Sequence, residues 1–346
     1  MISLKWAGAS IFQLGSFLFL LFYLMGILNV NFSDKNNYCV MTYMFEYPQF
    51  VRISMVESNI YPQYGLYTYS EGRFTERARK MWFDGVPVLF LPGNSGSHMQ
   101  VRSLASVALR KALSNGYENH FDYFTISYNE ELSGLYGGVL QSQTQFAAAC
   151  VSKILSLYKN KYTKSIPSSV ILIGHSMGGV IAKRLLAYPS TINTTNIAIT
   201  LAAPLEAPIV NFDTAINDFY KLMDLEWKIY VEHNKEIIDK KLLISFGSGP
   251  RDLLVPAGLT SSNVSYINTL ATAIPGVWVS PDHISMVWCK QLVLAINRYL
   301  FDIIDTRTDQ ITDNYEHIQV KSLQYFVDYV LDDSSCNISA KSICCH

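Results

Sequence analysis

Charged residues are scarce in this chain, and neither sign dominates. They make up 16% of the 346 residues, and 27 lysines and arginines nearly balance 28 aspartates and glutamates, which leaves a formal net charge of −1. The sequence has no long basic tract, whereas a nucleic-acid-binding surface needs a clustered excess of lysine and arginine. The composition therefore argues against nucleic acid as a partner.

Cysteine and histidine are also few, and their spacing does not match a metal site. The six cysteines and seven histidines lack the short paired intervals that structural zinc sites require. We therefore expect no metal and no cofactor. Cys150 and Cys289 lie in apolar helical contexts, where buried thiols are expected. Cys39 and the three cysteines after residue 335 flank the core and are candidates for disulfides.

A mostly apolar stretch without any charged residue runs from Trp6 to Val30. About 20 apolar residues span the hydrocarbon core of a bilayer, so residues 1–30 are predicted to form a transmembrane signal anchor. Lys5 precedes the stretch and Asp34 follows it, which keeps the N-terminus cytosolic and the remainder outside or in a lumen. A cleaved signal peptide is the alternative, although no A-x-A cleavage pattern ends the run.

Four N-x-S/T sequons agree with that side of the membrane. Such sites accept N-linked glycans when they are exposed in a secreted or lumenal protein. Because sequons also arise by chance, they support this location rather than prove it. The sequons begin at Asn31, Asn193, Asn263 and Asn337.

An apolar, β-branched run ends in the pentapeptide Gly174-His175-Ser176-Met177-Gly178. Residues suited to a helix follow at once, so the sequence predicts a strand, a sharp turn and a helix with Ser176 at the tip. A side chain at Gly174 or Gly178 would collide with the neighbouring strand or helix. We therefore interpret the pentapeptide as the nucleophile elbow of an α/β-hydrolase rather than as a chance G-x-S-x-G match.

Two later residues are predicted to complete a catalytic triad with Ser176. Asp252 lies in a turn directly after a predicted strand, and His283 lies in the loop before the last predicted helix of the domain. This gives the chain order Ser, Asp, His, in which His283 acts as the base and Asp252 orients it. The alternatives are His98 and His175 for the base, and Asp213, Asp218 and Asp282 for the acid.

A glycine-rich loop after the predicted strand Val86–Leu91 is expected to complete an oxyanion hole. In this fold class that loop supplies one N–H group, and the residue after the nucleophile, here Met177, supplies the other. Asn94 is the candidate donor in the loop, and a plain turn between strand and helix is the alternative. The candidate substrate-binding residues are Gly93, Ser95 and Glu130.

The order of predicted elements indicates an α/β fold with a mostly parallel central sheet and helices on both faces. We expect a lumenal lead-in segment with one hairpin at 31–85, a catalytic domain at 86–302 and a polar tail at 303–346. An insertion at about 205–241 is predicted to form a helical lid, whose apolar face lines an acyl channel leading to Ser176. A helix that simply packs on the core is the alternative.

Several longer motifs are more specific than the serine pentapeptide. They are L-P-G-N-S-G-S at 91–97, N-E-E-L-S at 129–133, R-D at 251–252 with V-P at 255–256, and D-H-I at 282–284. In these motifs the chain resembles the GPI inositol-deacylase family over roughly residues 38–299. Members of that family are lipases of the endoplasmic reticulum that remove the fatty acyl group from the inositol of GPI anchors.

The resemblance implies a function, a location and a set of site residues. Ser176, Asp252 and His283 fall on the family's nucleophile, acid and histidine, and the implied substrate is a GPI glycolipid or GPI-anchored protein. The implied location is the endoplasmic reticulum membrane, with one N-terminal anchor and a lumenal catalytic domain. Two other hypotheses are a membrane-associated lipase or thioesterase acting on other acyl esters, and a non-catalytic factor that binds GPI proteins.

Overall fold

The computed structural model describes residues 2–33, 39–158, 165–233 and 240–327. The chain divides into two compact units, Met1–Cys39 and Val40–His346. In the first unit, helix α1 spans Ile2–Ser33. Its segment Phe12–Asn29 is long and apolar enough to cross a membrane, and none of that segment is buried. The predicted N-terminal apolar helix is therefore present.

The second unit is built on one eight-stranded sheet. Its strands are β1 (Pro48–Ile53), β2 (Gly65–Glu71), β3 (Val86–Leu91), β4 (Phe121–Ser127), β5 (Ile171–His175), β6 (Ile197–Leu201), β7 (Leu242–Gly247) and β8 (Ile267–Leu270). They lie in the order β1-β2-β4-β3-β5-β6-β7-β8. β2 runs antiparallel to β1 and β4, and the pairs from β4 through β8 are parallel. The predicted α/β-hydrolase fold with a mostly parallel sheet is confirmed.

Helices cover the sheet in two groups. The helices are α2 (Thr75–Arg79), α3 (Arg102–Ser114), α4 (Leu140–Leu157), α5 (Met177–Ala187), α6 (Thr214–His233), α7 (Lys290–Asp302) and α8 (Tyr315–Phe326). α4, α5 and α6 pack against one another, and α7 packs against both α3 and α8. A parallel sheet needs both faces covered, which is why every residue of β3, β5 and β6 is buried. A short hairpin of β9 (Ile304–Asp305) and β10 (Gln310–Ile311) joins α7 to α8.

The sheet extends beyond the boundaries expected for the catalytic domain. β1 and β2 come from the lead-in segment at 31–85, and they form the antiparallel edge of the same sheet. At the other end, α8 lies in the predicted polar tail and buries Ile318 and Phe326. β1 and α8 look polar because an edge strand and an outer helix each bury only part of their surface. β2 is almost wholly buried, but several of its buried residues are polar.

The prediction that the apolar face of α6 lines an acyl channel is wrong. The apolar face of α6 fills the main core instead of lining a channel, because α4 and α5 pack directly against it. Arg184 on α5 also holds this helix through a two-pronged ion pair with Glu226, at 2.7 and 2.8 Å. The packed-helix alternative is correct. The buried side chains of α6 are Ile216, Phe219, Tyr220, Met223, Trp227 and Tyr230.

Two cysteine predictions have different outcomes. Cys150 is a free, buried thiol as expected. Cys289 is disulfide-bonded, as is Cys39, so the prediction of a free thiol at Cys289 was wrong. The apolar pattern around Cys289 predicts that the residue is buried, but it cannot distinguish a buried thiol from a buried half-cystine. Cys336, Cys344 and Cys345 lie outside the described residues.

Candidate active site

Ser176 lies in the sharp turn between β5 and α5 and has a strained backbone. Its φ of 53° and ψ of −127° fall where residues with a side chain are rare. A Cβ on Gly174 would lie 2.4 Å from the carbonyl oxygen of Gly178, and one on Gly178 would lie 2.1 Å from that of Leu91. The predicted elbow and the predicted need for both glycines are therefore confirmed.

Asp252 and His283 are brought together at the same edge of the sheet. His283 Nδ1 lies 2.9 Å from Asp252 Oδ2, and Ser248 donates its hydroxyl to the same carboxylate oxygen at 2.7 Å. The N–H groups of Leu254 and Val255 donate to Asp252 Oδ1 at 2.9 and 2.8 Å. Burial alone would raise the pKa of Asp252, but the hydrogen bonds from His283, Val255 and Ser248 outweigh it and lower the pKa.

His175 supports the loop that carries His283. Its Nε2 donates to the backbone carbonyl of His283 at 2.8 Å, and the two ring centroids are 4.7 Å apart. Its Nδ1 is buried without a hydrogen-bond partner among the described residues. Burial, and then the charge of His283, lowers the pKa of His175 to about 4. His175 is therefore neutral near pH 7 and unsuited to accept a proton there.

The loop after β3 reaches the serine. A Cβ on Gly93 would lie only 2.5 Å from Ser176 Cβ and 3.1 Å from its Oγ. The Met177 N–H opens α5 and therefore has no partner within that helix, and the Asn94 N–H donates to no acceptor in the described ranges. The Asn94 side chain, in contrast, accepts a hydrogen bond from the Gly134 N–H at 2.8 Å.

Ser176 is 5% exposed. Its hydroxyl makes no hydrogen bond within the described parts of the chain, so its expected bond to His283 is not present. Hydrogen bonds of this kind are frequently long or misaligned until substrate binds. What anchors the serine here is its backbone, since its N–H donates to the carbonyl of Leu201 at 2.9 Å. The site thus contains a strained serine, an acid–histidine pair and a glycine-lined approach.

The two polar candidates for substrate contact lie on exposed turns. Ser95 and Glu130 are both exposed and both have positive φ, 51° and 54°. Within the described residues, Glu130 has no side-chain hydrogen bond, while the Ser95 N–H donates to the carbonyl of Glu131 at 2.9 Å. Their role in substrate binding stays a prediction.

The alternative acids and bases have other partners. His98 stacks on Tyr67 with ring centroids 4.5 Å apart, and burial lowers its pKa while Glu130 opposes that shift. Asp282 accepts the N–H of Ser285 at 2.8 Å. Asp213 accepts N–H groups from Gly137 and Ile216 at 2.9 and 2.8 Å, and Asp218 lies on the exposed side of α6, 3.9 Å from Lys221. These contacts explain why each of these residues is present, so none of them needs a role beside Ser176.

One cluster in the described chain has donor atoms close enough to hold a metal ion, and it lies away from Ser176. Asp84, His120 and Asp122 lie at the start of β3 and β4, the edge opposite the serine. Arg77 already pairs with Asp84, and Tyr158 donates to Asp122 at 2.8 Å. Internal partners therefore satisfy both carboxylates.

The predicted glycosylation sites are placed as follows. Asn193 and Asn263 are exposed. Asn31 lies in the last turns of α1, and its side chain is not among those described. Asn337 lies outside the described residues altogether.

Sequence reasoning missed two residues that hold the site together. Ser248 donates to Asp252, and its position four residues earlier in the same turn was a usable sign. Glu131 receives the Ser95 N–H and accepts hydrogen bonds from Tyr64 and Gln143. Only the fold brings Ser95, Tyr64 and Gln143 into contact with Glu131.

The chain matches a known family model over residues 82–303, described as "PGAP1-like alpha/beta domain". Curated relatives named GPI inositol-deacylase are similar to it. That of Xenopus laevis is 44% identical over 298 residues, covering 83% of this chain and 31% of the relative. That of Drosophila melanogaster is 40% identical over 316 residues, covering 83% and 32%. The chain thus spans about a third of the length of these relatives.

Solved structures with a similar fold are more distant. Esterase B from Lactobacillus rhamnosis is 13% identical with a TM-score of 0.46, covering 82% of this chain and 91% of that one. An esterase from Pyrococcus furiosus is 15% identical with a TM-score of 0.41, covering 77% and 98%.

We expect the free energy of unfolding to decrease as the pH is lowered from about 6.5 to about 4. The pKa of His175 is about 4 when folded and 6.5 ordinarily, so in this interval the unfolded chain binds the extra proton and acid favours unfolding. The difference corresponds to roughly 3 kcal/mol. Urea unfolding in detergent at several pH values should show this slope, and His175→Gln should reduce it. The matched change at an exposed histidine, His317→Gln, should not alter the slope. An equal slope in all three proteins would contradict the attribution of the slope to His175.

Proposed function

Since the chain belongs to the PGAP1-like alpha/beta domain family, we propose that it is a serine ester hydrolase that removes the fatty acyl chain from the inositol of GPI anchors. The observation that carries this proposal is the meeting of the strained Ser176 elbow with the hydrogen-bonded Asp252–His283 pair. The name of the curated relatives, GPI inositol-deacylase, supports the choice of substrate.

The reaction follows from the roles of three side chains. Ser176 Oγ attacks the ester carbonyl carbon while His283 Nε2 takes its proton, and Asp252 stabilises the resulting imidazolium. The bond from the carbonyl carbon to the inositol oxygen then breaks, and His283 protonates that oxygen. Water attacks the acyl-enzyme with His283 again as the base, which releases the fatty acid and restores Ser176.

Two backbone donors stabilise the negative oxygen formed in each step. The N–H groups of Met177 and Asn94 are the proposed oxyanion hole, and Gly93 permits the close approach of that loop to Ser176. The loss of one such donor typically raises the barrier by about 3 kcal/mol. Ser95 and Glu130, on exposed turns beside the site, are the proposed contacts for the polar head group.

Exposed apolar side chains next to the site favour an ester that is carried by a lipid. Loops after parallel strands emerge at the edge of the sheet where Ser176 lies. In those loops Leu253 is 91% exposed beside Asp252, and Ile284 is 58% exposed beside His283. Exposed apolar groups in loops that share one edge of a sheet are typical of contact with membranes or partners. This apolar rim comprises Leu132, Leu135, Tyr136, Phe212, Leu253, Leu254 and Ile284.

The proposed location is the endoplasmic reticulum membrane, with α1 as a single N-terminal anchor and the catalytic unit in the lumen. The length and apolar character of Phe12–Asn29 support the anchor. The disulfide-bonded state of Cys39 and Cys289 suits an oxidising compartment. The exposed sequon asparagines Asn193 and Asn263 suit the same side of the membrane.

The full chain in lipid vesicles should release fatty acid from inositol-acylated GPI, and Ser176→Ala should reduce that rate by about a million-fold. Asp252→Asn should cause a smaller loss, of about 10,000-fold, because it leaves the imidazole in the wrong tautomer. Mass spectrometry of the lipid product gives the rate. The matched change at an exposed serine, Ser168→Ala, should leave the rate as it is.

The same assay separates the competing hypotheses. Faster hydrolysis of phospholipids or acyl thioesters than of acylated GPI would favour a general lipase or thioesterase. A fluorophosphonate probe that labels the wild-type chain no better than Ser176→Ala would favour a non-catalytic GPI-binding factor. Either result would overturn the proposed deacylation.

The apolar rim should matter most for a substrate embedded in lipid. Leu253→Gln should lower the hydrolysis of vesicle-borne acylated GPI by about tenfold, because a buried leucine side chain contributes about 1.5–3 kcal/mol. Hydrolysis of water-soluble p-nitrophenyl butyrate should decrease much less. Ile166, which is 59% exposed just before β5 at the opposite edge, provides the control Ile166→Gln. An equal effect of both variants on both esters would contradict the role of the rim.

Glycans on the catalytic unit would test its lumenal location. The chain expressed in cells should migrate faster on a gel after endoglycosidase H treatment, and Asn193→Gln and Asn263→Gln should each remove one step of that change. Asn115→Gln, at an exposed asparagine outside any sequon, should not alter migration. A chain unaffected by the endoglycosidase would argue for a cytosolic catalytic unit.

A further inference from the structure

Two loops at the carboxyl edge of the sheet are joined beside Ser176. The turn at residues 93–96 follows β3 and carries the Asn94 N–H. The Ser95 N–H of this turn donates to the carbonyl of Glu131 at 2.9 Å, and the Asn94 side chain accepts the N–H of Gly134 at 2.8 Å. The orientation of the Asn94 peptide therefore depends on the loop that follows β4.

That second loop has a conformation that must be held from outside. The Glu131 N–H donates to the carbonyl of Tyr128 at 3.3 Å, and the two residues between them, Asn129 and Glu130, have φ of 57° and 54°. Two successive left-handed residues, neither of them glycine, are costly and persist only where their surroundings enforce them.

The Glu131 side chain supplies that restraint. Its Oε2 accepts hydrogen bonds from the Tyr64 hydroxyl at 2.7 Å and from the Gln143 amide at 3.0 Å. Tyr64 is 2% exposed and is packed edge-on against Tyr128 and Phe146, so its hydroxyl is a fixed donor. Hydrogen bonds to an ionised acceptor are among the stronger ones in proteins.

We propose that Glu131 is a positioning residue that sets the Asn94 N–H for the oxyanion, acting through its carbonyl bond to Ser95 and its carboxylate bonds to Tyr64 and Gln143. Glu131 touches neither the serine nor the substrate in this role. The proposal rests on the proposed hydrolase function, and it gives a physical reason for the second glutamate of the N-E-E-L-S motif.

The full chain in detergent would be assayed with p-nitrophenyl butyrate. We expect Glu131→Gln to lower kcat by about 10- to 100-fold and to change KM by less than twofold, because a misplaced donor is felt in the transition state and not in ground-state binding. Tyr64→Phe should lower kcat by about tenfold. Affinity for a trifluoromethyl ketone, which forms an oxyanion on the serine, should decrease in parallel with kcat/KM.

A matched control and a double variant test whether Tyr64 acts through its hydrogen bond to Glu131. Tyr61 stacks on Tyr64 with centroids 5.8 Å apart and donates its hydroxyl to Gln145 instead, so Tyr61→Phe should leave kcat as it is. Because Tyr64 and Glu131 act through one hydrogen bond, the double variant should be no slower than Glu131→Gln alone. Tyr64→Phe keeps the ring and its packing, and it therefore serves as the test if Glu131→Gln does not fold.

The outcomes distinguish a failure of the positioning role of Glu131 from a failure of the proposed hydrolase function. An unchanged kcat in folded Glu131→Gln or Tyr64→Phe, or a raised KM with unchanged kcat, would overturn the positioning role and leave the hydrolase function intact. A lower thermal midpoint with full activity would show a structural role only. A wild-type chain that hydrolyses no ester, while its fluorophosphonate labelling equals that of Ser176→Ala, would overturn both proposals.

Discussion

The strained backbone of Ser176 is the constraint on which the rest of the site depends. A φ of 53° with a ψ of −127° costs on the order of 1–3 kcal/mol and persists only where packing enforces it. The packing is a direct approach of backbone to backbone. Gly174 lies against Gly178 and Gly179, and Gly178 lies against the end of β3. These contacts join β3, β5 and α5 into one rigid corner, so the serine and the loop after β3 have a fixed relation to each other.

A buried polar network adds a second level of organisation around that corner. Asp252 is charged at neutral pH because three hydrogen-bond donors beside its histidine partner compensate for burial. The buried His175 is neutral and holds the backbone of the loop that carries His283. Glu131 restrains the loop after β4 in a comparable way. Asp252 and His175 are buried, where a polar group that loses its partner is expensive. The geometry of the site is therefore inseparable from the folding of the loops that form it.

Apolar helix faces illustrate how far sequence patterns reach. The pattern of α6 predicts its amphipathic character, and the helix is present at Thr214–His233. The same pattern is compatible with a face that lines an acyl channel and with one that packs on the core, since both require apolar side chains. Arg184 and the neighbouring helices α4 and α5 decide for the core. In the same way, the half-exposed strand β1 and the mostly buried strand β2 lack the continuous apolar run that made β3 and β5 recognisable.

The sequence by itself determined the elbow, the parallel sheet and the chain order of Ser176, Asp252 and His283, because these depend on local turn geometry and on strand order. The tertiary structure alone decided which residues support them. His175 meets His283 across 108 residues, and Tyr64 meets Glu131 across 67. Such pairs leave no periodic trace in the sequence, since their contact arises only when loops from different strands converge at one edge of the sheet. The exposure of the apolar rim was hidden for the same reason, because an apolar residue in a loop is equally compatible with burial until its neighbours are in place.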